Sequence, residues 1–475
     1  MSGEPLWSGL ALVGALNARV SGGLPKAATG VSIDTRTLEA GDLFIALKGD
    51  ARDGHEFVRV AFEKGAAAAV VDEAHARELS GAGHLLVVKD VQASLDRLGA
   101  YARARTAAYV AAITGSVGKT STKEMARVVF SRVGATHVSH ASYNNHWGVP
   151  LSLARMPAAT RYGLFEIGMN HKGEILKLVD LVKPQVAIVT RVAAAHLEYF
   201  SSLEEIADAK AEIFSGILDG GVAIINRDDE TYERLYAAAR ASAAEHVFSF
   251  GSGEGAEARL VSYEPYAEHC LVRAEVFGRE IEFRLSAPGL HLAQNALAVL
   301  LLAQLFELDL DEAARSLSEF SPERGRGKRE ELKIDGRKIT LIDESYNANP
   351  TSMRAAFALL AHARPGLGAR RIAVLGDMLE LGPSAGELHA GLAEDLRQAE
   401  VDLLFTAGPL MSRAFYAAPD RMHGAHRATA AELAEPLIGA LRDGDVVMIK
   451  GSNASRLSSI AAELRRKSAP EAQHP

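Results

Sequence analysis

A glycine-containing turn between an apolar run and a helix-forming segment is the feature that most constrains the fold of this chain. The run Tyr109–Thr114 has the composition of a buried strand, and a helix is predicted from Lys119 onward. Gly115 and Gly118 lie between them, so backbone N–H groups can close around an anion at the positive end of that helix. The pattern therefore predicts a phosphate-binding loop that joins a strand to a helix.

The residues of this loop indicate a nucleotide as the ligand. Lys119 adds a positive charge for the outer phosphates, and the hydroxyl of Thr120 can hold Mg²⁺. The usual nucleotide loop has glycine at the position of Ile113, whereas the first glycine here is Gly115, so we expect a shortened loop. The alternative is a glycine-rich turn that only caps a helix. The residues assigned to nucleotide binding are Thr114, Gly115, Ser116, Val117, Gly118, Lys119 and Thr120.

Length and composition exclude several classes of protein. The 475 residues exceed one ordinary core and predict about three domains. A net charge of −8, without a basic run that contains aromatic residues, argues against nucleic acid as a partner. Cys270 is the only cysteine, so a reducing compartment is expected. No apolar run approaches the ~20 residues of a membrane-spanning helix, so we expect a cytoplasmic protein without membrane insertion.

Strand and helix patterns predict an α/β protein of three domains, with boundaries at residues 1–90, 91–322 and 323–475. The first domain mixes short strands with turns and is expected to be small. The second has strand candidates that alternate with helices, which is typical of a doubly wound, mostly parallel sheet; they lie at residues 163–167, 186–192 and 222–226. The third is predicted to be a Rossmann-like α/β domain, with strands at residues 338–343, 371–375, 403–406 and 446–449.

Two polar residues follow strand candidates of the central domain. Glu166 ends one strand and His196 follows another, and ligands of such folds bind at the carboxyl ends of the strands. Glu166 could therefore hold Mg²⁺. The alternatives are a solvated acidic residue and an ordinary loop histidine.

Lys210 occupies an unusual position for a cation. A helix is predicted from Leu203 to Leu218, and Lys210 falls within its apolar stripe. Burial favours the neutral form of an amine, so this lysine needs an anionic partner or becomes chemically available. The alternative is a side chain that extends along the apolar surface to reach water.

Together these segments resemble the Mur ligase family over nearly the whole chain. Members share the shortened loop, with a glutamate, a histidine and a lysine that match Glu166, His196 and Lys210. The resemblance implies that Lys119, Glu166, His196 and Lys210 are catalytic. It also implies that Lys210 is carbamylated by CO₂, and that Thr120, Glu166, His196 and the modified Lys210 are the ligands of Mg²⁺.

Further site residues follow from the same resemblance. It implies that ATP contacts His291, Asn295, Arg326, Asp343 and Asn347. It implies that the UDP-linked precursor binds to residues of the first and central domains, namely Ser32, Asp34, Arg36, Lys48, Asp53, His55, Asn144 and Asn145. The chain departs from the family pattern at Asn453, where relatives often carry arginine, and at Glu344, where an aspartate is often found.

The segments Tyr346–Pro350 and Asp53–His55 resemble the branch of the family that handles D-alanyl-D-alanine. The resemblance implies that ATP phosphorylates the terminal carboxylate of UDP-N-acetylmuramoyl-tripeptide, and that the amine of D-alanyl-D-alanine attacks the acyl phosphate. This would be a step of peptidoglycan synthesis, performed by a monomer. The alternatives are a sister ligase that adds the third residue of the peptide, a folylpolyglutamate synthetase, and a nucleotide-gated binding protein without ligase activity.

Overall fold

The computed structural model describes residues 5–49, 52–140, 142–195 and 197–468. Apart from one antiparallel pair, Trp7–Ser8 with Ala27–Ala28, the strands in these residues build three large sheets that follow one another along the chain, over residues 19–88, 109–285 and 328–450. The predicted three-part α/β fold is thereby confirmed. The exact domain boundaries stay a prediction.

The first sheet has the strand order β2-β7-β6-β5-β4, and its pairs are parallel except for β2 with β7. Apolar side chains cover both of its faces. The strands of this part are β1 (Trp7–Ser8), β2 (Arg19–Ser21), β3 (Ala27–Ala28), β4 (Gly30–Ser32), β5 (Asp42–Ile45), β6 (Ala68–Asp72) and β7 (Leu85–Val88). The helices are α1 (Gly9–Leu16), α2 (Val58–Glu63) and α3 (Val91–Ala104).

The central sheet has the order β16-β15-β14-β13-β12-β11-β8-β10-β9. Buried apolar clusters lie on its two faces, beneath helices, as a doubly wound sheet requires. Its strands are β8 (Tyr109–Thr114), β9 (Thr136–Val138), β10 (Tyr162–Glu166), β11 (Val186–Val189), β12 (Gly221–Asn226), β13 (Ala244–Gly251), β14 (Ala258–Pro265), β15 (Cys270–Val276) and β16 (Arg279–Leu285). Its helices are α4 (Lys119–Phe130), α5 (Gly148–Ala154), α6 (Glu174–Val182), α7 (Leu203–Ala211), α8 (Tyr232–Arg240), α9 (Leu290–Leu305) and α10 (Leu310–Ser316).

Two features of the central domain differ from the sequence-based expectation. Strands β14, β15 and β16 form an antiparallel meander on the edge of the parallel sheet, and we predicted no strands there. The helix predicted from Leu203 to Leu218 was too long, because α7 ends at Ala211 and Glu212–Gly216 continue as a 3-10 helix. Ile213 and Phe214 are nevertheless buried, so the apolar stripe was identified correctly.

The third sheet has the order β17-β18-β22-β19-β20-β21, and its pairs are parallel except for β17 with β18. Helices cover apolar clusters on both faces. The strands are β17 (Lys328–Ile334), β18 (Arg337–Glu344), β19 (Arg371–Gly376), β20 (Leu403–Ala407), β21 (His423–Arg427) and β22 (Val446–Lys450). The helices are α11 (Pro350–Ala361), α12 (Ala385–Gln398), α13 (Ser412–Ala417), α14 (Ala430–Ala440) and α15 (Ser458–Ser468).

The first two domains share part of their core. Leu95 and Leu98 of α3 pack in the same buried cluster as Leu151 and Ala154 of α5, beneath the first sheet. In the part of the chain that the structure describes, no helix is long and apolar enough to cross a membrane.

Candidate active site

The predicted phosphate loop joins β8 to α4 at the carboxyl edge of the central sheet. Gly118 precedes the first residue of α4 and has a φ of 91°, and a Cβ there would lie 2.6 Å from Asn295 Nδ2. Both the conformation and the close approach therefore require glycine. Lys119 folds back over the loop, with its Nζ donating to Gly115 O at 2.6 Å. Burial lowers the pKa of Lys119, Arg326 adds to this decrease, and Glu166 opposes it.

Glu166 is a fully buried carboxylate at the end of β10, next to the loop. It lies in this position because β10 pairs in parallel with β8, with Glu166 beside Ile113. Thr120 Oγ1 donates to Glu166 Oε2 and Asn144 Nδ2 donates to Glu166 Oε1, both at 2.7 Å. The carboxylate and hydroxyl oxygens form a set of hard ligands, which is the kind that Mg²⁺ prefers. These residues therefore fit the predicted metal.

Lys210 is only 2% exposed, as the apolar stripe of α7 predicted. The alternative of a side chain that reaches water is wrong. Burial lowers the pKa of Lys210 well below its usual value; the charge of Lys119 lowers it further, and Asp229 opposes this. Among the described residues, none forms a hydrogen bond or an ion pair with Nζ of Lys210. The structure therefore favours a neutral amine at this position.

The third domain faces the loop with residues that lie just before β17, at and after the end of β18, and at the end of β22. Arg326 lies over the ring of Tyr346 at 3.9 Å, and it donates to Ser142 Oγ of the central domain at 2.8 Å. Lys450 Nζ lies 3.3 Å from Glu344 Oε2 and donates to Asn347 O at 3.0 Å. These contacts hold polar groups of the third domain opposite the phosphate loop.

A cavity of about 1190 Å³ lies between the two domains and brings most of the predicted residues together. Those that line it are Ser116, Val117, Gly118, Lys119, Thr120, Asn144, Asn145, Glu166, Lys210, His291, Asn295, Arg326 and Asn347. Burial lowers the pKa of His291, so its ring is neutral at neutral pH. His196 lies outside the described residues.

Some predicted nucleotide contacts lie elsewhere. Thr114 ends β8 and Gly115 begins the loop, and neither belongs to the described cavity wall. Asp343 is buried, and its carboxylate accepts hydrogen bonds from Arg465 and Ser345, each at 2.6 Å. Glu344 lines the cavity instead, because successive residues of a strand point to opposite sides.

The sequence analysis also missed cavity residues on the loop after β11, on the meander, on α9 and at the end of β22. These include Arg191, Tyr263 and Gln294, as well as Lys450, to which we assigned no role. Tyr263 accepts a hydrogen bond from Gly289 N at 2.8 Å, just before α9. Arg191 follows β11, which ends at Val189, but the strand predicted over residues 186–192 was too long and included this residue, so its place at the carboxyl edge of the sheet was not recognised.

A second cavity, of about 690 Å³, lies between the first domain and the central domain. Asp34, Arg36 and Lys48 line it, and Arg36 forms an ion pair with Asp34 at 2.6 Å. Ser32 is buried behind this wall, where its hydroxyl donates to Asp34 O at 3.1 Å. Tyr143, His146 and Trp147 close the cavity from the central domain, and the neighbouring Asn144 and Asn145 line the first cavity. Residues 143–147 therefore form a wall between the two cavities.

Asp53 and His55 take part in a hydrogen-bond network and do not line this second cavity in the described structure. The carboxylate of Asp53 accepts from the backbone N–H of His55 at 3.0 Å and lies 2.6 Å from His55 Nδ1. His55 Nε2 accepts from Asp72 N at 3.1 Å, so the ring carries its proton on Nδ1. Gly54, between these two residues in the chain, does belong to the cavity wall.

Most of the chain matches domain models of known protein families. Residues 27–112 match the Mur ligase family catalytic domain, residues 113–303 match the Mur ligase middle domain, and residues 328–453 match the Mur ligase glutamate ligase domain. The chain belongs to the Mur ligase family, as the shortened loop and the residues around it predicted.

Within this family the chain is similar to one kind of ligase along nearly its whole length. It is 31% identical to the UDP-N-acetylmuramoyl-tripeptide--D-alanyl-D-alanine ligase of Rickettsia prowazekii, over 90% of this chain and 94% of the relative. It is 33% identical to the ligase of the same name from Escherichia coli, over 92% and 93%. The crystal structure of MurF from Acinetobacter baumannii has a TM-score of 0.84 at 31% identity and covers 98% of this chain and 100% of that chain.

Proposed function

We propose that this chain is an ATP-dependent ligase that joins D-alanyl-D-alanine to the terminal carboxylate of UDP-N-acetylmuramoyl-tripeptide. One observation carries the proposal: the phosphate loop, the Glu166 carboxylate and the buried Lys210 line the same cavity as polar groups of the third domain. The similarity to ligases of this name supports the choice of substrates. The product is the UDP-muramoyl-pentapeptide used for cell-wall synthesis.

The reaction proceeds in two substitutions. A carboxylate oxygen of the tripeptide attacks the γ-phosphorus of ATP, and ADP leaves. The amine of D-alanyl-D-alanine then attacks the carbonyl carbon of the acyl phosphate, loses a proton, and inorganic phosphate leaves. Transfer of this kind depends on positioning and charge neutralisation rather than on a protein nucleophile. Lys119 and the N–H groups at the start of α4 hold the phosphates in this scheme.

Thr120 and Glu166 are the proposed ligands of Mg²⁺, with His196 as a further candidate from the sequence alone. When bound, the ion neutralises charge on the phosphate oxygens. The 2.7 Å contact between Thr120 Oγ1 and Glu166 Oε2 holds both oxygens ready before a nucleotide arrives.

Lys210 is the proposed site of carbamylation. Its neutral amine adds to the carbon of CO₂ and releases one proton, which leaves a carbamate anion on Nζ. The buried position and the lowered pKa support this reaction, because only the unprotonated amine is a nucleophile. A carbamate would also neutralise the positive charge of Lys119 nearby. Protein incubated with ¹³C-bicarbonate should show a carbamate carbon signal by NMR that is missing in Lys210→Ala.

The UDP part of the precursor is proposed to bind in the second cavity. Arg36 and Lys48 offer positive charge for its diphosphate, and Asp34 holds Arg36 in place. The peptide would then pass along the wall of residues 143–147 toward the phosphate loop, where Asn144 and Asn145 meet it. His291, Asn295, Arg326 and Asn347 are the proposed contacts of ATP.

Mass spectrometry of the product tests the assignment. Incubation with ATP, Mg²⁺, D-alanyl-D-alanine and UDP-muramoyl tripeptides should yield the pentapeptide and inorganic phosphate. Single amino acids offered in place of the dipeptide, and a folate with glutamate offered in place of the UDP-tripeptide with the dipeptide, separate this enzyme from the sister ligases. Hydrolysis of ATP that does not depend on the dipeptide, without pentapeptide, would instead favour a nucleotide-gated binding protein and contradict the proposal.

A further inference from the structure

Thr190 lies directly behind the phosphate loop, one residue after β11, and its side chain is completely buried. Its Oγ1 is 2.6 Å from Val117 O and 3.1 Å from Thr114 O. Thr114 O already accepts the backbone N–H of Thr190 at 2.9 Å. A hydroxyl group has only one proton to donate, so the shorter contact identifies Val117 O as its acceptor.

We propose that the Thr190 hydroxyl is a positioning group that orients the peptide unit between Val117 and Gly118 for phosphate binding. A trans peptide unit is planar, and its C=O and N–H groups point in opposite directions. Because Val117 C=O points at Thr190, the N–H of Gly118 points away from β11. Val117 and Gly118 both line the large cavity. The hydroxyl thus fixes an amide that the loop offers to a nucleotide, although Thr190 itself does not line the described cavity.

The rest of the loop is attached to the same stretch of chain. Ser116 N donates to Arg191 O at 2.6 Å. The hydroxyl of Ser116 accepts from Ala193 N and lies near Ala193 O, both at 3.0 Å. Residues 190–193 are therefore a support along which the loop is held.

This support is itself fixed by side chains of the next strand and turn. Asn226 Nδ2 donates to Thr190 O at 2.9 Å, and Asp229 Oδ2 accepts from Val192 N at 2.6 Å. Glycine at position 115 makes the approach possible, because a Cβ there would lie 2.0 Å from Thr190 Oγ1. A shortened loop has few residues with which to hold its own shape, so it depends on a support of this kind.

The inference rests on the proposed function, because it assumes that the loop binds ATP. Calorimetric titration of the full chain with ATP and Mg²⁺ distinguishes a failure of the proposed function from a failure of the role of Thr190. If the natural protein does not bind ATP, the proposed function fails. If it binds ATP and the variants described next bind equally well, only the role of Thr190 fails.

The test compares Thr190→Val, which replaces the hydroxyl with a methyl group, with Thr190→Ser, which keeps the hydroxyl. We expect the valine variant to weaken ATP binding and to raise the KM for ATP about fivefold or more, the effect of one hydrogen bond. The KM for the UDP-tripeptide should stay within about twofold of the natural value, and serine should restore ATP binding. Thr406→Val is the matched control, because Thr406 is also buried near the end of a parallel strand, with its hydroxyl 2.9 Å from His426 Nδ1.

Three results would overturn the role of Thr190. The first is a valine variant that binds ATP as tightly as the unsubstituted protein. The second is equally weak ATP binding by the serine and valine variants. The third is an equal loss of ATP affinity in the Thr406→Val control. If the valine variant does not fold, Thr190→Ala removes the hydroxyl without adding bulk. The comparison of alanine with serine then decides the question in the same way.

Discussion

Replacement of Glu166 by glutamine separates the charge of this side chain from its hydrogen bonds. In the structure Glu166 accepts from Asn144 Nδ2 and from Thr120 Oγ1, each at 2.7 Å. Glutamine can satisfy both neighbours, because its oxygen can face Asn144 while its NH₂ donates to the Thr120 hydroxyl, which can also accept. We therefore expect Glu166→Gln to fold with a free energy of unfolding within about 1 kcal/mol of the natural protein.

The catalytic rate of Glu166→Gln, in contrast to its stability, should fall strongly. Loss of one preorganised charged group at a reacting centre costs about 3–4 kcal/mol of transition-state stabilisation, so kcat should fall about 10²–10³-fold. Glu166→Ala is the matched variant. It leaves two donors without their acceptor and should lower the free energy of unfolding by about 2–4 kcal/mol in addition to abolishing activity.

Two measurements decide this prediction. A coupled assay of phosphate release gives kcat, and urea denaturation gives the free energy of unfolding. Turnover of Glu166→Gln within about threefold of the natural rate would refute the catalytic role of the charge. Equal destabilisation by glutamine and alanine would refute the hydrogen-bond reasoning.

Three further predictions follow from single residues. Cys270 is buried and burial raises the pKa of its thiol to about 12, so a thiol reagent should label it only after denaturation, and rapid labelling of the native protein would contradict this packing. Burial lowers the pKa of His137 to about 4, from 6.5 when unfolded, so the unfolded state binds more protons between these values. The free energy of unfolding should fall by about 2–3 kcal/mol as the pH decreases from about 6.5 to about 4, and His137→Gln should remove this part of the pH dependence seen in urea titrations. Lys210→Arg should fold but lose ligation, because a guanidinium stays protonated and cannot react with CO₂. If this variant released phosphate at the rate of the unsubstituted protein, a role for the carbamate would be excluded.

Local signals in the sequence predicted the parts of the site that lie next to regular elements. Strand Tyr109–Thr114 and the start of α4 at Lys119 have the predicted bounds, because a buried run and a glycine turn are sufficient to define them. The apolar stripe of a predicted helix drew attention to Lys210, and the family resemblance implied its role. In each case the neighbours in the sequence determine the environment of the residue.

Residues whose roles depend on distant partners were harder to predict. The buried ion pair of Asp343 involves Arg465, more than a hundred positions further along the chain, and only the fold shows that Glu344 takes the place at the cavity. The network of Asp53 and His55 is completed by Asp72, at the end of β6. The antiparallel meander was not predicted. Cys270–Val276 alternates buried and exposed residues in the structure, but exposed Leu271 is itself apolar, which weakens the alternation in the sequence.

The cluster shared by α3 and α5 decides where the molecule can be cut into independent pieces. A fragment that ends near residue 90 would lack Leu95 and Leu98, and the apolar faces that they cover would be open to water. Such a fragment should aggregate. A fragment that runs from the amino terminus to about residue 327 keeps this cluster and the central sheet whole, so it is the smaller unit to choose for crystallisation or ligand screening.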